Sequence, residues 1–331
     1  MPFAMNIMWA LVFLVGGLLI LWRSADLLVD HAVKIAEWLR VSPLVIGLTV
    51  VAMGTSAPEV AASISAVLRS AGDAAIGNVY GSNIANLALV GGLSALIQPI
   101  TVRKLTLRRE VPVMLAAALL LWPFLRNLSL SRAEGIVLLA IFFVLLAATI
   151  WLAKKEAADS RLQALRLQPD ATSDAKFVAK SIFFVVIGLA GVAFGADTAV
   201  RGAVYMGQRI GLTEAVIGQT IIAVGTSLPE LATCVAAALK KHHDISIGNL
   251  VGSNIFNTLL VTGAAAGAAG AVRPFTISPR LIGSYYLLMI GVSAAFVLII
   301  ILGRRTVGRR GGIVLLCGYV AYIFYLLLHN P

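Results

Sequence analysis

The chain has 331 residues, 60% hydrophobic and 12% charged, with a mean hydropathy of +0.94. Soluble domains carry about 25% charged residues, so an ordinary soluble domain is excluded, and the spread of apolar residues along the chain excludes a single membrane anchor. The formal net charge of +11 would suggest nucleic acid in a soluble protein. Here the basic residues sit in short clusters between apolar runs, which reads as membrane orientation and not as nucleic-acid binding.

A helix needs about 20 apolar residues to cross a bilayer. Apolar runs between charged or Pro/Gly-rich breaks predict ten transmembrane helices, near 5–22, 41–68, 74–98, 110–125, 133–153, 177–200, 212–239, 245–271, 281–303 and 311–328. The first run has neither a charged segment before it nor a clear small-residue cleavage pattern, so it reads as a retained span and not a signal peptide. Asp26 and Asp197 end the first helix of each half and are expected to make structural hydrogen bonds. Asp73 and Asp244 each precede an apolar helix and read as N-caps. His242 and His243 read as solvated residues of a basic loop. Cys234 and Cys317 lie in apolar runs and read as small hydrophobes, with neither a disulfide framework nor a zinc site.

The basic residues set the orientation. With the N-terminus outside, the inner loops hold 19 of the 26 Lys and Arg and the outer loops hold 7. That bias places both termini outside and the polar stretch 154–176 in the cytoplasm as a solvated linker. The fold class is therefore all-α integral membrane. Residues 1–153 form one five-helix unit and 177–331 a second.

An internal repeat relates the two units. Shifted by 171 residues, 24–92 overlays 195–263 without a gap, with 30 identities in 69 positions. GTSAPE (54–59) matches GTSLPE (225–230), and IGNVYGSNIAN (76–86) matches IGNLVGSNIFN (247–257). Chance likeness between apolar helices would match Leu, Val and Ala, not Pro, Glu, Asn and Gly in register. Because five is odd, the second copy enters the membrane from the opposite side, which is the inverted repeat of many secondary transporters. Their substrate sites lie at the midplane on broken helices. Pro58 and Pro229 supply the breaks, each freeing the carbonyl four residues earlier, at Gly54 and Gly225.

Glu59 and Glu230 sit inside apolar runs that hold no Lys, Arg or His near them. A carboxylate at mid-membrane costs at least about 2.5–3.5 kcal/mol and is normally paired or functional. Thr55 and Glu59 are four apart and share a helix face, as do Ser82 and Asn86. Ser56 completes the first set. The second copy offers Thr226, Ser227, Glu230, Ser253 and Asn257. Together these are two carboxylates, two amides and six hydroxyls, all hard oxygen donors. Such a set suits Ca2+ or Na+, not zinc or copper.

The paired motifs resemble the two α-repeats of the calcium/cation antiporter superfamily, within it the prokaryotic Na+/Ca2+ exchanger branch. The resemblance implies ion ligation by Glu59 and Glu230, with contacts from Thr55, Ser56, Ser82, Asn86, Thr226, Ser227, Ser253 and Asn257 and from the backbone carbonyls of Ala52 and Ala223. It implies alternating access, with Na+ entry driving Ca2+ export, no cofactor beyond the transported Ca2+ and Na+, and a multi-pass protein of a bacterial inner membrane acting as a monomer. Some relatives carry Asp where this chain has Asn86 or Asn257, which makes K+ co-transport the weaker expectation. Ca2+/H+ exchange stays open, since buried carboxylates can carry protons. A cation channel would need a continuous pore, usually between symmetric subunits. An enzyme would need a nucleophile with its base or a metal cluster, and neither pattern is in the sequence.

Overall fold

The computed structural model describes residues 6–164, 175–212, 217, 221, 223–269 and 274–329. They are helical almost throughout. In chain order the helices are α1 (Ile7–Leu39), α2 (Pro43–Thr55), α3 (Ala57–Leu68), α4 (Gly72–Ile97), α5 (Lys104–Arg108), α6 (Glu110–Leu125), α7 (Arg132–Ala164), α8 (Ala175–Arg209), α9 (Ala223–Thr226), α10 (Leu228–Leu239), α11 (His243–Ala268), α12 (Leu281–Leu302) and α13 (Arg309–His329). Among the described residues, seven are long and apolar enough to cross a membrane, and an eighth if α2 and α3, bent by 42°, are one span. The protein is thus a multi-pass helical membrane protein.

Two helices run well past their predicted ends. α1 continues from 22 to Leu39, and α8 from 200 to Arg209. The added segment of α1 is amphipathic: Ala25, Leu28, Val29, Ala32, Ile35 and Ala36 are buried while Asp26, Asp30 and Lys34 lie on the other face. A reading of continuous apolar runs stops at the first charge, whereas the 3.6-residue stripe goes on. α7 likewise runs to Ala164, eleven residues into the predicted 154–176 linker, through Lys, Glu, Ala, Leu and Arg, which are good helix formers. Residues 165–174 of that linker lie outside the described residues, as does most of 213–222 at the start of the seventh predicted span. A capping box opens α7: Glu134 accepts from Ser131 N–H at 2.8 Å, and Ser131 Oγ accepts from Glu134 N–H at 3.3 Å.

α1 and α8 pack along each other through small residues. A Cβ added to Gly17 would lie 2.4 Å from the Ala199 nitrogen, and one on Gly188 would lie 2.9 Å from the Leu28 Cβ. The 171-residue shift exchanges these two contacts. It also relates the left-handed residues Ser70 and Lys241 (both φ 61°) and Arg40 (φ 56°) and Gly211 (φ 84°). The sequence repeat is therefore an echo in the backbone as well.

Four two-residue strands tie the halves together. β1 (Ile100–Thr101) pairs antiparallel with β4 (Thr306–Val307), and β2 (Ser129–Leu130) with β3 (Phe275–Thr276). Beside each pair stands an aspartate expected as an N-cap. Asp73 Oδ1 accepts from Ser278 N–H at 2.6 Å, and Asp244 Oδ1 accepts from Arg103 Nε at 2.7 Å. Neither caps its helix. The capping positions fall on Ala71 and His242, so each aspartate sits two residues past its cap and reaches across to the other half instead. His242 and His243, expected in solvent, are half-buried at the start of α11. Asp26 does form a structural contact: with Asp30 it holds Lys240 Nζ at 2.6 and 2.7 Å, joining α1 to the end of α10. Its counterpart Asp197 pairs within α8, with Arg201 Nε at 2.7 Å.

Candidate cation site

Pro58 and Pro229 each lie in the first turn of a helix, where the missing N–H costs nothing. The residues before them break the helix at equivalent points, Ser56 at φ −85°, ψ 5° and Ser227 at φ −90°, ψ 3°. Glu59 and Glu230 then fall in the first turn of α3 and α10, where the helix dipole favours an anion. Opposite them α4 and α11 carry π-helical stretches, Ala85–Val90 and Asn257–Val261, that begin at or beside Asn86 and Asn257. A third, Gly47–Val51, lies within α2. Such widened turns recur at functional sites because they re-aim side chains and loosen the carbonyl ladder.

The structure brings the predicted side chains into one buried region. Glu59, Glu230, Asn86, Asn257 and Ser253 are fully buried, Thr55, Ser56, Ser82 and Ser227 nearly so, and Thr226 is half-buried. The two halves interlock there. Ser56 Oγ donates to Glu230 Oε1 at 3.0 Å, and Ser253 Oγ stands 3.5 Å from the same oxygen. Asn83 Nδ2 donates to Thr258 Oγ1 at 3.0 Å. The two carboxylates are close enough to repel one another, and Ser82 stands beside Glu59.

What these groups lack is as informative. Both carboxylate oxygens of Glu59, Oε2 of Glu230, the whole side-chain amides of Asn86 and Asn257, and Ser227 Oγ are buried without a hydrogen-bond partner. None of the described ion pairs reaches either glutamate. A buried polar group left unsatisfied costs about 1–3 kcal/mol, more when charged, so a cluster of them is a poor packing element and a good ligand cage. Its place in the first turn of α3 lets the helix dipole favour the Glu59 carboxylate, yet neither of its oxygens is held by a hydrogen bond of ordinary geometry. A cation facing this region would meet hard oxygens from both halves of the chain, a donor set that fits Ca2+ or Na+.

Of the two backbone carbonyls the resemblance implies, Ala52 O already accepts from Ser56 N–H at 3.0 Å, with Thr55 Oγ1 at 3.4 Å. In the second copy Ser227 N–H reaches Val224 O at 3.1 Å.

Two asparagines that the motif reading left unused hold this region from behind. Asn78 Nδ2 donates to Ser63 Oγ at 2.9 Å and to Glu59 O at 3.3 Å, and Ser63 Oγ donates to Ala75 O at 3.3 Å. At positions 171 later, Asn249 Nδ2 donates to Cys234 Sγ at 3.3 Å, and Cys234 Sγ to Ser246 O at 3.6 Å. The signal for both was present: an Asn repeated in register inside an apolar helix, where Asn is a poor helix former.

Known proteins resemble this chain over nearly its whole length. A family model described as "Sodium/calcium exchanger protein" matches residues 9–151 and 180–328. The sodium/calcium exchanger MaX1 of Methanosarcina acetivorans is 34% identical over 353 residues, spanning 95% of this chain and 97% of that one. The inner membrane protein YrbG of Escherichia coli is 35% identical over 333 residues, 97% and 98% of the two chains. Among solved structures, the sodium-calcium exchanger NCX_Mj superposes with a TM-score of 0.81 at 30% identity, covering 97% of this chain and all of that one.

Proposed function

The chain belongs to the sodium/calcium exchanger family, and from that premise we propose that it exchanges Na+ for Ca2+ at a site built on Glu59 and Glu230. The observation that carries the proposal is the pair of fully buried carboxylates, one from each repeat, beside the unpartnered amides of Asn86 and Asn257 and the unpartnered Ser227 Oγ. Two carboxylates neutralise one Ca2+, or hold two or more Na+ with help from the neutral oxygens. The unloaded site is strongly anionic in a poor dielectric and is reluctant to reorient. Turnover then requires one cargo or the other, which is exchange.

The architecture we propose is ten membrane crossings in two inverted five-helix repeats, 1–153 and 177–331. In it α6 and the α9–α10 pair supply the crossings that length alone does not identify. The backbone echo at a shift of 171 and the reciprocal strands β1–β4 and β2–β3 support this reading. Moving the two repeats against each other would open the site alternately to either side. The charge bias puts both termini outside and 154–176 in the cytoplasm, in a prokaryotic inner membrane, with one complete site per monomer.

The test is competition. Na+ should displace bound 45Ca2+ from the purified protein where choline at equal ionic strength does not. Displacement by acidification with no effect of Na+ would replace this reading with Ca2+/H+ exchange.

A further inference from the structure

A hydroxyl can present a lone pair to a cation only if its proton points elsewhere, and an acceptor outside the ligand set takes that proton without competing with the cation for a ligand oxygen. We infer that Asn249 is this acceptor, a positioning residue that turns the hydroxyls of Thr55 and Ser253 toward the cargo; the inference rests on the Glu59–Glu230 site proposed above. Asn249 is fully buried. Its Oδ1 lies 3.2 Å from Thr55 Oγ1, in the first repeat, and 3.4 Å from Ser253 Oγ, in the second.

Each hydroxyl has a choice. The Thr55 proton can go to Ala52 O at 3.4 Å, to Asn249 at 3.2 Å or to the neighbouring Glu230 carboxylate. The Ser253 proton can go to Glu230 Oε1 at 3.5 Å or to Asn249 at 3.4 Å. The distances favour the amide in both cases, and a cation drawn to Glu230 would repel a proton resting on that carboxylate. The amide oxygen has two lone pairs and can take both protons at once. Its orientation is set from behind. The Cys234 thiol donates to Ser246 O, which leaves the sulfur as acceptor for Asn249 Nδ2 at 3.3 Å. A flipped amide would turn its oxygen onto a sulfur whose proton is already placed. Asn249 thus joins a ligand hydroxyl from each repeat through one atom, without touching the ion.

The test compares Asn249→Leu, which removes the acceptor, with Asn249→Asp, which keeps it and loses the donor. The readout is half-saturating Ca2+ in Ca2+/45Ca2+ self-exchange by the reconstituted full chain, which needs no counter-ion. Asn249→Leu is expected to raise it about tenfold, as loss of about 1.4 kcal/mol would, with the maximal rate less affected. Asn249→Asp is expected to stay within about threefold of wild type, about 0.7 kcal/mol. In a Thr55→Val background the Leu substitution should cost visibly less than it does alone, because one of its two clients is gone. An unchanged affinity in Asn249→Leu, equal losses in Leu and Asp, or strict additivity with Thr55→Val overturns the inference. If Asn249→Leu does not reconstitute, Asn249→Asp decides: a retained affinity supports it and a lost one overturns it. Glu230→Gln runs alongside. Normal self-exchange there would mean that the site itself is misassigned, whereas its loss together with a normal Asn249→Leu would mean that only the positioning role fails.

Discussion

Glu59 combines complete burial with two carboxylate oxygens that meet no donor. In a structure held only by packing, a glutamine or leucine there would be more stable, since an uncompensated buried charge is expensive. The Gln variants should therefore show opposite effects on stability and on activity. Without Ca2+, Glu59→Gln and Glu230→Gln are expected to melt at or above the wild-type temperature in detergent. They should lose the rise in melting temperature that saturating Ca2+ gives the wild type through preferential binding to the folded state, and Ca2+ transport should fall about a hundredfold or more, or about 2.7 kcal/mol. A large drop in ligand-free melting temperature would recast the glutamates as structural. These residues were legible in the sequence because apolar surroundings make a lone carboxylate conspicuous. The roles of Asp73 and Asp244 were not, since their partners Ser278 and Arg103 are far away in sequence and only the folded chain brings them together.

At the scale of elements, broken helices work only if their neighbours come close. A Cβ on Gly248 would lie 2.7 Å from Leu44 O and 3.0 Å from Leu48 N, so α11 of one half rests directly on the backbone of α2 in the other. Gly291, on an exposed face of α12, has open space around it. Gly248→Ala is therefore expected to lower the melting temperature and the rate of exchange, as overpacking costs about 1–3 kcal/mol. Gly291→Ala should leave both unchanged or raise stability slightly through helix propensity. Equal tolerance at the two positions would contradict the close α2–α11 crossing. Here too the sequence showed only part. The helix breaks followed from Pro58 and Pro229, because proline's chemistry is local. The lengths of α1 and α8 were missed because their C-terminal ends are held by a stripe packed between the two helices, not by an unbroken apolar run.

For the whole molecule, the charge bias and the number of crossings are one claim, since an even count is what returns the C-terminus to the side of the N-terminus. Ser160 lies in the segment assigned to the cytoplasm. In a Cys317→Ser background, which removes the one exposed native cysteine among the described residues, a cysteine at Ser160 should resist an impermeant thiol reagent applied to intact cells and react once the membrane is opened. Reaction in intact cells would invert the orientation. The central claim is exchange of Na+ for Ca2+ through two glutamates. The hydroxyls of Thr55, Ser56, Ser82, Thr226, Ser227 and Ser253 tilt it toward Na+, because a proton needs a base and not a shell of neutral oxygens. Its most direct test is 45Ca2+ uptake into vesicles reconstituted with the full chain, at clamped voltage, under either an outward Na+ gradient or an imposed pH gradient. Uptake driven by Na+, insensitive to the pH gradient and absent in Glu59→Gln and Glu230→Gln, is the expected result; uptake that follows the pH gradient and ignores Na+ would contradict the account.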